Sequence, residues 1–304
     1  MTAPAERDPR LHRFAVLVAG ATFLLVIAGG LVTSTGSGLA VPDWPLSFGQ
    51  VFPKLEGGVL FEHGHRMVAA AVGLLTAVLA AWAWRREPRR WVRRLGLAAL
   101  GAVVLQGMLG GTTVLLRLPS SVSVAHAGLA QVFFCLTVAL AVVTSAWWAD
   151  AKPASAPEPG APTTRTLTLA AATVVYAQIL LGAVVRHTGA GLVIPDFPLA
   201  YGRLWPEIAS PLVAYQMAHR LGAVVVAAFA LWSGVRVLGR HADEPALRRP
   251  ALALLALVAF QIFLGALTIW TRRAVIPTTA HVASGALLLA TTVVLTLRAH
   301  RALG

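Results

Sequence analysis

The chain contains little cysteine and little charge. Cys135 is the single cysteine among 304 residues, which excludes an intramolecular disulfide and argues against a metal site built from thiolates. Charged residues make up only 12% of the chain, whereas hydrophobic residues make up 57% and the mean hydropathy is +0.74. An ordinary soluble domain cannot hide so many apolar side chains in one core. The composition therefore predicts a multispanning membrane protein.

Eight apolar stretches are long enough to cross a lipid bilayer. A span needs about 20 residues, at about 1.5 Å each, to cover about 30 Å of hydrocarbon. None of the 12 acidic residues lies deep inside these stretches, in keeping with a cost of about 2.5–3.5 kcal/mol for a charge at a helix centre. The first stretch has no convincing cleavage motif, so we predict a retained helix. The predicted spans are 14–34, 64–84, 92–115, 121–148, 166–186, 212–238, 249–271 and 277–298.

Basic residues outnumber acidic residues by 25 to 12, and the formal net charge is +13. If the N-terminus is cytoplasmic, 17 of the 25 Lys and Arg residues fall on the cytoplasmic side. This positive-inside bias predicts that both termini are cytoplasmic, and it attributes the charge to membrane topology rather than to a nucleic-acid partner. The 17 residues are Arg7, Arg10, Arg13, Arg85, Arg86, Arg89, Arg90, Arg93, Arg94, Lys152, Arg165, Arg236, Arg240, Arg248, Arg249, Arg298 and Arg301.

Two segments on the predicted outer side, residues 35–49 and 188–202, nearly repeat each other. Their offset of 153 grows to 154 and 155 further along the chain, which indicates an internal duplication. An even number of spans separates the copies, so both have the same orientation in the membrane. The predicted fold is an all-α polytopic membrane protein with eight transmembrane helices. We expect two tandem four-helix bundles, 1–148 and 166–304, related by a pseudo-twofold axis along the membrane normal and joined by a cytoplasmic linker, 149–165.

Four histidines lie where predicted spans begin. Their helices all run from the outer to the inner side, so the imidazoles lie at similar depth near the outer face and can meet in pairs. Two neutral imidazoles suit the axial positions of a heme iron, whereas a zinc site would need further ligands that neither half offers. The alternative is four interfacial histidines that contact lipid headgroups. The pairs are His65 with His126 and His219 with His281.

Other charged and imidazole side chains lie near these four. Arg66 and Arg220 directly follow two of the histidines, where a guanidinium could meet heme propionates at the water boundary. His63 and His187 also lie on the outer side, but the repeated positions hold no histidine. We therefore predict that His63 and His187 lie at the surface.

Two further repeated motifs each have two interpretations. Gln-x-x-Leu-Gly occurs in the third, fifth and seventh spans, which favours helix packing, with a cofactor pocket as the alternative. A Pro-Asp pair in each outer segment favours a fixed turn, with a lid over a site as the alternative. The residues are Gln106, Gln178, Gln261, Asp43 and Asp196.

The clearest difference between the halves is Glu62, whose counterpart is Gln216. Glu62 precedes His65 by about one helical turn, so both lie on one helix face. A partly desolvated carboxylate can exchange protons, as an amide cannot. Alternatively, Glu62 only favours the positive end of its helix, contributing about 0.3–1 kcal/mol. The asymmetry predicts that the N-terminal half is reactive and that the C-terminal half holds a permanent cofactor or an electron-transfer site.

Together these motifs resemble the heme A synthase family over nearly the whole chain. They are Glu62-x-x-His65-Arg66, Ala-His126-Ala-Gly, His219-Arg220, Thr-Ala-His281-x-x-Ser-Gly and the paired Gly-x-Gly-Leu-x-x-Pro-Asp segments. The resemblance implies an oxidoreductase that converts the C8 methyl group of heme O to a formyl group. It implies successive hydroxylations, with water as the oxygen source and electrons passing to an acceptor.

The resemblance also implies individual roles. Glu62 would assist catalysis, His65 and His126 would bind the iron of substrate heme O, and His219 and His281 would ligate a resident heme B. The sites would lie near the outer face of the cell membrane. Heme O synthase, an electron acceptor and a second copy of the chain are candidate partners. Many family members carry a cysteine pair in the region corresponding to residues 35–61, and this chain has none there.

The sequence is also compatible with two other functions. A di-heme electron-transfer protein of the cytochrome b type would also use paired membrane histidines, although such proteins more often stack their hemes at different depths. A transporter built from parallel repeats would need buried charges and broken helices, which the predicted spans lack.

Overall fold

The computed structural model describes residues 8–151, 158 and 160–303. Eight helices in these ranges are long and apolar enough to cross a membrane, which confirms the predicted all-α, eight-span architecture. A short helix, α5, follows the fourth of them. The helices are α1 (Pro9–Ser34), α2 (Gly58–Arg86), α3 (Arg90–Leu115), α4 (Ser120–Val143), α5 (Ala146–Asp150), α6 (Thr164–His187), α7 (Pro211–Arg240), α8 (Pro245–Trp270) and α9 (Val275–Ala302).

Capping residues explain where α1 and α7 begin. The Asp8 carboxylate accepts hydrogen bonds from the main-chain N–H groups of Arg10 and Leu11, and the Ser210 hydroxyl caps α7 in a similar way. Both helices have proline as their first residue, where its missing N–H costs no hydrogen bond. Local sequence thus sets these helix starts.

The predicted end of the fourth span, 121–148, is wrong because α4 ends at Val143. The hydroxyls of Thr144 and Ser145 donate back to carbonyls of the last turn. Ser145 Oγ also accepts from Trp148 N–H at the start of α5. The tryptophans that lengthened the apolar run therefore belong to a separate helix.

The first four spans pack against one another in a ring, and so do the last four. In the first ring α1 and α3 each contact α2 and α4, and in the second α6 and α8 each contact α7 and α9. A buried apolar cluster lies within each ring. Between the rings, α1 contacts α9, and α4 contacts α6 and α9. Phe23 of α1 and Phe134 of α4 stack with their ring centres 5.9 Å apart, in a cluster that includes Ala286 and Ala290 of α9.

Large apolar side chains cover the outward faces of the spans. Leu24, Leu74 and Val224, each in the middle of a helix, are 61%, 68% and 67% exposed. Soluble proteins rarely present such continuous apolar surface to water. These faces fit the hydrocarbon of a bilayer, as expected of a multi-pass membrane protein.

Candidate functional site

Each of the four span-starting histidines packs its imidazole against a glycine of the preceding span. A Cβ built on that glycine would lie only 3.0–3.2 Å from the imidazole Cε1. Glycine therefore lets the imidazole lie close to the neighbouring helix, and any larger residue would push the two apart. Three of the four glycines belong to the Gln-x-x-Leu-Gly motif, for which a cofactor pocket was the alternative interpretation, and only Gly29 lies outside it. The contacts are Gly29–His65, Gly110–His126, Gly182–His219 and Gly265–His281.

The Gln-x-x-Leu-Gly motif contacts a histidine of the next helix through both its glycine and its glutamine. Its glycine faces the imidazole, and its glutamine Nε2 donates to the main-chain carbonyl of the same histidine at 2.7–3.0 Å. Two of the amides also approach the ring: Gln178 Nε2 lies 3.0 Å from His219 Nδ1, and Gln106 Nε2 lies 3.3 Å from His126 Nε2. The motif contributes to the histidine sites as well as to helix packing.

The two imidazoles of the second half lie close together. The ring centres of His219 and His281 are 6.5 Å apart, and the ring planes make an angle of 82°. A metal–imidazole bond is about 2.0 Å long, so two rings that share one metal ion have centres roughly 6 Å apart.

The donor set suits a metal whose other ligands come from outside the chain. Over residues 8–151, 158 and 160–303, no group of three His, Cys, Asp or Glu residues could hold a metal ion. Each pair of histidines could therefore offer two axial ligands to an iron whose other ligands a heme macrocycle would supply. The buried Nδ1 atoms of His65, His126 and His281 have no hydrogen-bond partner, which is uncommon for buried polar atoms. The residues fit two hemes with bis-histidine ligation.

Arg66 and Arg220 hold the outer segments against the histidine helices. Arg66 Nη1 donates to the carbonyl oxygens of Asp43 and Leu46, at 2.8 Å in both cases. Arg220 donates to the corresponding carbonyls of the second half, at 2.6 and 2.8 Å. Hydrogen bonds to a charged donor are among the stronger ones in proteins, so each arginine fixes its segment above the histidine that precedes it.

Asp43 and Asp196 each stabilise a tight turn. The Asp43 carboxylate accepts from the N–H groups of Phe48 and Gly49, at 2.7 and 2.8 Å. Asp196 makes the same pair of contacts in the second half. Phe48 and Gly49 have φ angles of 54° and 71°, so the carboxylate supports a left-handed turn. The hydrogen bonds from Gly49 and then Phe48 hold the pKa of Asp43 below its ordinary value of 3.8.

Glu62 and Gln216 occupy equivalent places and differ in charge. Glu62 Oε2 accepts from the N–H of Val41 at 2.9 Å, and Gln216 Oε1 accepts from the N–H of Ile194 at 2.7 Å. Glu62 Oε1 also forms an ion pair with Arg66 Nη2 at 2.7 Å, with side-chain exposures of 5% and 15%. The first half therefore has a buried carboxylate where the second half has an amide.

The prediction that His63 lies at the surface is wrong. Its side chain is buried, at 6% exposure, and its Nδ1 lies 2.8 Å from Ser47 Oγ in the outer segment. The repeated positions hold Met217 and Ala200, so this polar pair belongs to the first half alone. His187, also predicted at the surface, is half-buried at the end of α6.

The fold and the site define a polytopic helical membrane protein with two histidine pairs suited to heme iron. The chain matches the family described as cytochrome oxidase assembly protein over residues 12–60 and 56–293. It is 37% identical to the heme A synthase of Symbiobacterium thermophilum over 252 residues, 80% of each chain. It is 31% identical to the heme A synthase of Shouchella clausii over 220 residues, 71% of this chain and 72% of that one.

A third relative, the heme A synthase of Alkalihalophilus pseudofirmus, is 28% identical over 268 residues, 87% of this chain and 89% of that one. The chain belongs to the heme A synthase family. This confirms the predicted family and, with it, an oxidoreductase of heme A biosynthesis that handles heme in a membrane.

Proposed function

We propose that the chain oxidises the C8 methyl group of heme O to the formyl group of heme A. His65 and His126 bind the substrate iron, and His219 and His281 hold a resident heme B. The observation that carries the proposal is the imidazole–glycine contact, which occurs at all four histidines and supports two sites of the same design. The relatives named heme A synthase support the reaction.

The two sites belong to two bundles in this proposal, 1–148 and 166–304, related by a pseudo-twofold axis along the membrane normal. The two rings of helices support this division, as do the equivalent loop contacts of Arg66 and Arg220. The linker, 149–165, lies partly outside the described residues, at 152–157 and 159.

The N-terminal site is proposed as the reactive one because it holds Glu62. Bound heme supplies the methyl group and an iron that can accept electrons, and water supplies the oxygen. Conversion of a methyl group to a hydroxymethyl group with the oxygen of water releases two electrons and two protons; the electrons would pass to the separate acceptor, and a buried carboxylate can accept a proton. Arg66 stabilises the ionised carboxylate through their ion pair. When Glu62 takes up a proton, Arg66 still has the loop carbonyls as acceptors.

The remaining parts of the proposal concern the surroundings of the two sites. Arg66 and Arg220 already bind loop carbonyls, so heme propionates would meet those of their five N–H donors that are still free. The distribution of basic residues supports cytoplasmic termini and sites near the outer face of the cell membrane. A heme O synthase would deliver the substrate, a separate acceptor would remove electrons, and a second copy of the chain could pack beside the first.

Heme extraction from purified protein tests the proposal. Wild-type protein supplied with heme O should yield heme A and heme B. His65→Ala with His126→Ala should keep heme B and yield no heme A, whereas His219→Ala with His281→Ala should lose heme B. Two molecules of heme B per chain without heme A would instead support a di-heme electron-transfer protein. Protein without heme would support a transporter.

A further inference from the structure

The main-chain carbonyls of three of the four histidines accept a hydrogen bond from a glutamine amide of the preceding span. The fourth histidine, His65, has no such glutamine in the preceding span. Leu25 of α1 stands where α6 has Gln178, at the offset of 153 that relates the two outer segments. His65 therefore has the glycine contact without the amide. The missing amide sets His65 apart, because its buried Nδ1 is without a hydrogen-bond partner among the described residues just as those of His126 and His281 are.

A second difference accompanies this one. Gly222, three residues after His219, lies so close to Gln178 that a Cβ there would overlap the amide Oε1. The repeated position in the first half is Val68, three residues after His65. The chain therefore combines an amide with glycine in one half and leucine with valine in the other.

An amide can hold an imidazole in two ways that leucine cannot. It binds the main-chain carbonyl of the histidine, which fixes the helical turn that carries the ring. It also contacts the ring in two of the three cases, where Nε2 lies 3.0 Å from His219 Nδ1 and 3.3 Å from His126 Nε2. Groups that contact a metal-binding imidazole orient its ring, and their replacement typically weakens metal binding.

We propose that Gln106, Gln178 and Gln261 are positioning residues for His126, His219 and His281, and that His65 is the exchangeable ligand of the substrate site. This inference rests on the proposed function, because it takes His65 and His126 as the substrate pair. Both imidazoles of the resident heme have an amide, which favours tight retention of a permanent cofactor. The substrate heme must enter and leave as product, and one imidazole without an amide permits this exchange.

Exchanging the two residue pairs between the halves tests the inference. Gln178→Leu with Gly222→Val copies into the second half the combination that the first half already carries. Leu25→Gln with Val68→Gly makes the reverse exchange. The readout is cyanide binding to the ferric heme, because cyanide binds a six-coordinate iron only when an axial imidazole gives way. Each site is measured alone, in a background where both histidines of the other pair are alanine.

When the site that keeps its histidines has no further substitution, we expect cyanide to bind the N-terminal heme at least about tenfold more tightly than the C-terminal heme. Gln178→Leu with Gly222→Val should remove this difference and speed heme loss to apomyoglobin roughly 10–100-fold. Leu25→Gln with Val68→Gly should weaken cyanide binding at the N-terminal heme about tenfold. Gln178→Met, which removes the amide at similar side-chain length, should reproduce the first result even if the paired variant fails to fold.

Equal cyanide affinity at the two wild-type sites would overturn the inference. Unchanged cyanide affinity in the exchanged variants and in Gln178→Met would overturn it too, even with lowered thermal stability, because glutamines that only pack the helices would produce that result. Heme A formation by the wild type is assayed separately, so either outcome leaves the proposed function standing. A wild type without bis-histidine heme would overturn both.

Discussion

Gly182 lies directly against the imidazole of His219, where a Cβ would stand 3.0 Å from the ring Cε1. The same relationship recurs at the other three span-starting histidines. Small residues allow membrane helices to approach closely, and here the approach brings the histidine-bearing turn of one helix onto the backbone of its neighbour. The position of each imidazole therefore depends on helix packing as well as on the histidine itself.

Gly182→Ala should weaken heme binding at the C-terminal site, because the added methyl group displaces the His219 ring by a few tenths of an ångström. We expect a loss of roughly tenfold or more in heme affinity, measured as heme content of the purified protein. Gly107→Ala is the matched control, since nothing lies within 4 Å of a Cβ at that position. The control should keep full heme content, and equal content in the two variants would contradict the prediction.

Arg66→Met should destabilise the protein more than Arg220→Met. Both variants lose the contacts with loop carbonyls, but only the first leaves a buried carboxylate, Glu62, without its ion-pair partner. We expect an additional loss of roughly 1–3 kcal/mol, because both groups are largely buried but not fully. Thermal unfolding in detergent measures the difference.

A double-mutant cycle separates the ion pair from the loop contacts. Adding Glu62→Gln to Arg66→Met should recover part of the lost stability, since an amide needs no counter-charge. Strictly additive losses in the double variant would show that the ion pair contributes nothing.

Asp43 should stabilise its turn only when ionised. Hydrogen bonds from Gly49 and Phe48 hold its folded pKa below 3.8. Its contribution is therefore fully present above that ordinary value and is lost as pH falls through the folded pKa. Hydrogen-exchange protection of residues 43–49 should be constant between about pH 7 and pH 5 and fall only below about pH 4.

Asp43→Asn separates the carboxylate from other effects of acid on the outer segment. An amide supplies one acceptor oxygen in place of two, so protection of residues 43–49 should already be reduced at neutral pH. Protection in the wild type that declined between pH 7 and pH 5 would point to a different titrating group.

The spans and the histidine pairs could be predicted from the sequence, whereas the contacts between helices could not. A span must satisfy its backbone polar groups internally, so its length and helical form follow from composition. The duplication then identified His65, His126, His219 and His281 as a set. Contacts such as Gln106 with His126 depend on how neighbouring helices are rotated and offset, which a repeated motif in one helix does not define.

Burial on the outer side was the least predictable property. His63 lacks a repeated partner, which suggested a surface position, but the outer segment folds over it and Ser47 meets its ring. That contact depends on the path of a loop held by Arg66 and Asp43. The end of α4 was missed for a related reason, since an apolar run continues through Trp148 although the helix does not.

The heme extracted from the Glu62→Gln variant tests most directly the claim that the N-terminal half carries the chemistry. Gln216 shows that an amide can anchor the outer segment as the carboxylate does, so the variant should fold and bind both hemes. Gln216→Glu is the matched control and should still form heme A. We predict that Glu62→Gln retains heme O and forms heme A more slowly by a factor of roughly 10²–10⁴. Heme A at the wild-type level in this variant would contradict the account.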